Sequence, residues 1–119
     1  MMKGADQAMT MDSLRAFGAN VDEGLERCMG MEDFYIEMIQ LGLSDERFEN
    51  LGPLLEKKDF EEAFETVHAL KGVIGNLALA PLYETICEIT EHLRAKEDVD
   101  YLSLYDKLIE QRQKLVDMD

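Results

Sequence analysis

The chain predicts an all-α protein: an antiparallel up-and-down four-helix bundle preceded by short extra N-terminal helices. Apolar residues recur at three- and four-residue spacing along most of its length. No stretch alternates apolar and polar residues for long enough to make a strand. Only two prolines interrupt the 119 residues. A chain of this length builds one core and not two, so a single domain over 1–119 is expected, with cap helices at about 11–41 and the bundle at about 44–117.

Each element has its own signal. A short helix is expected near Met11 to Phe17, a second near Val21 to Cys28 and a third from Met31 to Leu41. Gly42 and Ser44 separate the third from the next, for which Ser44 serves as N-cap; that helix runs to about Lys57 and turns Phe48, Leu51 and Leu55 inward. Asp59 with Glu62 reads as an aspartate variant of the capping box and opens a helix over Phe60 to Leu77. Pro81 suits the first turn of a helix built on Leu82, Ile86, Ile89 and Leu93. After the polar turn AKEDVD, a last helix from about Asp100 to Val116 offers Leu104, Leu108 and Leu115 to the core, with Tyr101 and Tyr105 beside them. Four amphipathic helices joined by short turns pack most simply as an up-and-down bundle.

The stretch HALKGVIGNLAL, His68 to Leu79, carries the functional signal. Ala63, Val67, Leu70, Ile74 and Leu77 mark one buried stripe on its helix. At about 100° per residue, His68 points roughly 140° from the middle of that stripe, so its imidazole faces water. Gly72 lies one turn on and Gly75 two, which leaves little side-chain bulk beside the ring, and Lys71 adds a cation on the same side. Mid-helix glycine costs about 1 kcal/mol relative to alanine, so keeping both trades stability for access by another macromolecule. The alternative, that Lys71 and Gly72 end the helix, would expose Val73, Ile74, Leu77 and Leu79.

HALKG, followed by Asn76, Leu77, Leu79, Leu82 and Cys87, resembles the signature of histidine phosphotransfer (HPt) domains. Phe17-Gly18, the segment MEDFYIEMI and the run FENLGPLLEKKDFEEAFETV resemble the family's lead-in to its histidine. The resemblance implies a phosphorelay carrier of two-component signalling. His68 would be the phosphoacceptor, Lys71 the cation beside the phosphoryl group and Gly72 the gap that admits the partner. The partners implied are receiver domains of response regulators or of a hybrid histidine kinase, which bring the magnesium ion, so no cofactor of the chain's own is expected. One departure is visible: where the family usually has glycine ten residues after the histidine, this chain has Ala78, from which a slight change in local packing is expected. The residues agree with a carrier's chemistry. Histidine forms covalent intermediates, and near neutral pH much of an imidazole is unprotonated and able to attack. A lysine three residues on shares its helical face and can offset charge on transferring oxygens.

Further partner contacts are expected from Phe64, Glu65, Gly75 and Asn76. Phe64 reads as both a flanking core residue and part of an apolar docking rim; Asn76 reads as a local cap or backbone partner more than a phosphoryl contact. His92 reads as an ordinary surface residue, and Cys28 and Cys87 as small buried residues with free thiols. The eight methionines read as adaptable core filling.

Composition narrows the partners. With 12 Lys+Arg against 26 Asp+Glu, the net charge of −14 argues against a phosphate-backbone partner. No run reaches the roughly 20 apolar residues of a membrane span, and MMKGADQAMTMDS lacks the apolar block of a secretion signal. A cytoplasmic monomer without membrane or nucleic-acid contact is expected. Neither GxxxxGK[ST] nor GxGxxG occurs, so no ATP site and no stand-alone kinase activity is expected. Two other classes compete with the carrier. A non-catalytic receiver-binding module would hold its partner without exchanging phosphate. A metal-dependent bundle enzyme would need Glu-x-x-His pairs, and EITEH sets Glu88 one residue too far from His92. The HPt module is either free-standing or part of a larger hybrid or chemotaxis-type kinase, and 119 residues opening on methionine favour the first.

Overall fold

Polar residues placed just ahead of apolar runs start most of the helices. In the computed structural model, which describes residues 8–118, Thr10 Oγ1 accepts from Ser13 N at 3.0 Å while Ser13 Oγ accepts from Thr10 N at 2.8 Å, a reciprocal cap that opens α1, Met11–Phe17. The first seven residues of the leader stretch lie outside the described part. Asn20 caps α2, Val21–Arg27, through Glu23 N, and α3 follows at Glu32–Leu43. The next helix, α4, spans Arg47–Glu56, and α5 spans Phe60–Gly75 behind Asp59, which accepts from Glu62 N at 3.4 Å as one half of the expected pair of bonds. Pro81 stands in the first turn of α6, Ala80–Arg94, where its missing N–H costs nothing. Asp100 caps α7, Tyr101–Val116, accepting from Ser103 N and Oγ at 3.1 and 2.8 Å. Among the described residues there is no strand.

The chain is an all-helical four-helix bundle with extra helices. α4 packs on α5, α5 on α6 and α6 on α7, and α7 returns to α4, which closes the ring. The predicted α5 stripe forms its centre: Ala63, Val67, Leu70 and Ile74 are fully buried. Phe48, Leu51 and Leu55 of α4, Leu82, Ile86, Ile89 and Leu93 of α6, and Leu108 and Leu115 of α7 meet it. At its far side Arg112 binds α3, α4 and α7 together: it donates to Leu43 O at 2.8 Å, pairs with Glu49 at 2.9 Å and lies over the Phe48 ring.

Several boundaries differ from expectation for local reasons. Ser44 does not cap α4; it ends α3, donating to Gln40 O, and Asp45 Oδ1 accepts from Arg47 N instead. Gly42 is no separator but a buried residue of α3, where a Cβ would come within 2.5 Å of Leu77 Cδ1. α5 stops at Gly75, two residues short of Leu77. Leu104 and Cys87 are only half-buried, whereas Cys28 is buried; both thiols are free. Met9 and Met11 do fill the core, but Met29 and Met31 are exposed.

The chain turns after four helices on left-handed residues other than glycine: Met29, Lys58, Ala78 and Lys96. At Ala78, φ is +58°, so the departure noted there bears on backbone conformation, a left-handed turn held by a residue with a Cβ, where the sequence leads one to expect a slight change in packing. Two backbone contacts hold this turn from the N-terminal helices. Asn20 N donates to Ala78 O at 2.9 Å, and the buried Tyr35 hydroxyl donates to Leu77 O at 2.7 Å. Burial, aided by Cys28 and Glu23, pushes the Tyr35 phenol from 10.0 up to about 12.

Ala78→Gly relieves the left-handed strain and raises unfolding stability by about 0.5–1 kcal/mol, seen as a higher urea midpoint at unchanged slope. Tyr35→Phe strands the Leu77 carbonyl and lowers stability by about 1–2 kcal/mol. The raised phenol adds a pH signature. Its stabilisation is whole below pH 10, where both states hold the proton, and drains as pH rises through 10 to 12, where only the unfolded chain releases it. Urea titrations across that window show a smaller loss in the Phe variant.

Candidate functional site

Because the buried stripe occupies one side of α5, His68 stands exposed on the other. The helix continues through Gly72, so the alternative of an end at Lys71 and Gly72 does not hold. Side chains on a helix lean toward its N-terminus, and this lean decides what each neighbour of His68 does. A side chain at 72 would lie back over the histidine. At Gly72 a Cβ would meet nothing within 4 Å, so the space above the imidazole is open. His68 itself leans back onto Phe64, one turn earlier. Their ring centroids are 5.5 Å apart and their planes 16° from parallel, and the Arg94 guanidinium of α6 lies 5.2 Å from the Phe64 centroid. Lys71, half-buried, forms no ion pair among the described residues.

A groove of about 580 Å³ runs along this face, and His68, Lys71, Gly72, Gly75 and Asn76 all line it. Gly75 differs from Gly72 in kind: a Cβ there would sit 3.0 Å from Tyr83 Cε1, so its bareness serves the packing of α6 on α5. Asn76 stands at the C-cap of α5, its backbone N–H directed to Ile74 O, but its side chain bonds to a distant helix. Its Oδ1 accepts from Arg27 Nη1 at 3.2 Å, and the same nitrogen reaches Gly75 O at 3.3 Å while Glu23 holds the other end of the guanidinium at 2.6 Å. Phe64 and Glu65 lie outside this groove and line a neighbouring hollow with Phe60, Arg94 and Tyr101. Phe64 is half-buried against the core, which fits the flanking-core half of its reading, and Glu65 is exposed.

Three residues that shape the site were not singled out from the sequence. Arg27 and Tyr83 line the groove, and Arg94 lies over Phe64. Arg27 comes from a cap helix 48 residues before Gly75, a separation that leaves no local pattern. Position 83 follows one turn after Leu79, and its ring covers Gly75, so the glycine was the available signal. His92 is half-buried rather than an ordinary surface residue: Nδ1 lies 2.5 Å from Glu97 Oε1 and Nε2 3.9 Å from Glu88, which ties down the turn after α6. No group of three or more His, Cys, Asp or Glu able to hold a metal ion occurs among the described residues. Among those residues no helix is long and apolar enough to cross a membrane.

The site is thus an exposed histidine on a four-helix bundle, with bare backbone one turn on. The Hpt domain family matches residues 39–117, and the chain belongs to that family. No curated protein and no solved structure matches it. Membership implies phosphotransfer in two-component signalling, in which Hpt domains interact with receiver domains.

The two glycines of the groove separate on substitution. Gly72→Ala adds a better helix former into open space and raises stability by about 0.5–1 kcal/mol. Gly75→Ala pushes on Tyr83 and gives no such gain; thermal unfolding of the two variants side by side reads the difference.

Proposed function

We propose that the chain carries a phosphoryl group on His68 between aspartates of receiver domains. The observation that supports this most directly is the exposed imidazole on α5 with open space over Gly72. In the forward step a ring nitrogen lone pair attacks the phosphorus of an aspartyl phosphate. The N–P bond forms, the P–O bond to the aspartate breaks, and the carboxylate leaves with that electron pair; the proton on the other ring nitrogen passes to solvent. Transfer onward reverses these bond changes at a second aspartate.

Lys71 supplies the ammonium that offsets charge on the transferring oxygens, since its side chain leans toward the turn that holds His68. Gly72 lets the receiver's loops approach the imidazole. The magnesium ion arrives with the receiver. The partners are receiver domains of response regulators, of a hybrid histidine kinase, or of both. On this reading the chain has no ATP chemistry of its own and exchanges phosphate only with a phosphorylated partner.

A transfer assay against receiver domains of the same genome tests the proposal. Mixed with a phosphorylated cognate receiver, the chain gains an acid-labile, base-stable phosphate within short incubation, and His68→Gln gains none. A wild-type chain that stays unlabelled with several competent receivers, or a Gln variant that labels equally, removes His68 from the role. Receiver binding and biological output that survive His68→Gln unchanged would favour a non-catalytic binding module.

A further inference from the structure

The structure assigns Phe64 as a positioning residue that holds the His68 imidazole in its reactive orientation, braced from α6 by Arg94. The assignment rests on the carrier role proposed for His68. Its basis is the Phe64–His68 ring pair, 5.5 Å between centroids and 16° from parallel, within the offset-stacked range of aromatic pairs. The lone pairs of an imidazole lie in the plane of its ring. A neighbour stacked on one face therefore restrains the ring without covering either nitrogen. An exposed histidine otherwise samples several staggered rotamers on a picosecond to nanosecond scale. In-line attack on phosphorus needs one of them, so a restraint made before the partner arrives lowers the ordering cost of the transition state.

Phe64 is suited to this because it is itself held. It is half-buried against the core cluster, and the Arg94 guanidinium lies 5.2 Å from its ring centroid. Glu91 in turn holds Arg94, with Nε 3.3 Å from Oε1. The wall below the imidazole is thus tied to a second helix, while the side toward Gly72 is left open.

The experiment compares the full chain with Phe64→Leu, which keeps apolar volume and removes the ring, and Phe64→Tyr, which keeps the ring. Three quantities are read. The first is the His68 ring-proton shifts in the unphosphorylated protein, assigned with His68→Gln. The other two are the saturating rate of transfer from a phosphorylated receiver and the receiver concentration at half saturation. Expected for Phe64→Leu are loss of the upfield ring-current shift, a saturating rate lower by about two- to tenfold, and an unchanged half-saturating concentration. Phe64→Tyr restores the shift and the rate. Circular dichroism and unfolding midpoints confirm that both variants fold. A rate unchanged in Phe64→Leu overturns the assignment, as does a loss that lies only in the half-saturating concentration, which would make Phe64 a docking contact. The shifts need no transfer, so they test the stack separately from the carrier role. A wild-type chain that shows the ring-current shift and yet accepts no phosphate defeats the carrier role, and the positioning role with it.

Discussion

Burial of Ala63, Val67, Leu70 and Ile74 holds α5 in one rotational setting, and every residue on its far side takes its place from that setting. The helix is walled by α4 on one flank and α6 on the other, so it cannot roll without exposing leucines and isoleucines of the core. A roll of one residue, about 100°, would lift Leu70 toward water at a cost on the order of 2 kcal/mol for that side chain alone. The exposure of His68 is therefore a consequence of core packing on the opposite face. Close packing in the core fixes what an isolated helix would leave free.

From that setting, the N-terminal lean of helical side chains sorts the neighbours into different jobs. Phe64, one turn before the histidine, is touched by it; at Gly72, one turn after, a long side chain would lean back over it, and the glycine leaves that space open. Gly75, another turn nearer the C-terminus, lies under Tyr83 and belongs to the α5–α6 interface. Two glycines that look alike in HALKGVIG thus have separate physical reasons, one concerned with solvent space and the other with a neighbouring ring.

Elements whose signal is local were legible in advance. The α5 stripe, the Pro81 start, the Asp100 start and the inward residues of α4 and α6 follow from periodicity and capping over a few residues. Contacts between distant segments were not. Nothing near Asn76 announces Arg27, and nothing near Leu77 announces the Tyr35 hydroxyl. The turn after α5 hid for a second reason: it uses Ala78 in left-handed conformation where glycine would have marked it, whereas the breaks that hold Lys58 and Lys96 were legible from the polar residues around them. Ser44 misled in the opposite sense, since a good N-cap residue stands at the end of α3, while Glu46 holds the N-cap position of α4 without a side-chain bond and Asp45 Oδ1 accepts from Arg47 N. Around His68, the residues from its own helix were legible, whereas those contributed by α2 and α6 were not.

The joint between the N-terminal helices and the end of α5 has an electrostatic consequence. A helix concentrates partial negative charge on its last carbonyls, and in α5 that pole lies two turns from His68. Here the guanidinium of Arg27 meets Gly75 O, a phenol meets Leu77 O and a peptide N–H meets Ala78 O. Of these only Gly75 O belongs to the last turn of α5, so the pole is masked in part, by the guanidinium of Arg27, itself paired with Glu23. The other two donors satisfy the turn that follows, on a chain that otherwise carries a large excess of negative charge. An anion near this end of the helix would meet a carbonyl already engaged by a guanidinium instead of a bare oxygen atom. The donors come from α2, α3 and the stretch just before α2, so segments remote from the histidine in sequence help set the local potential at the end of its helix.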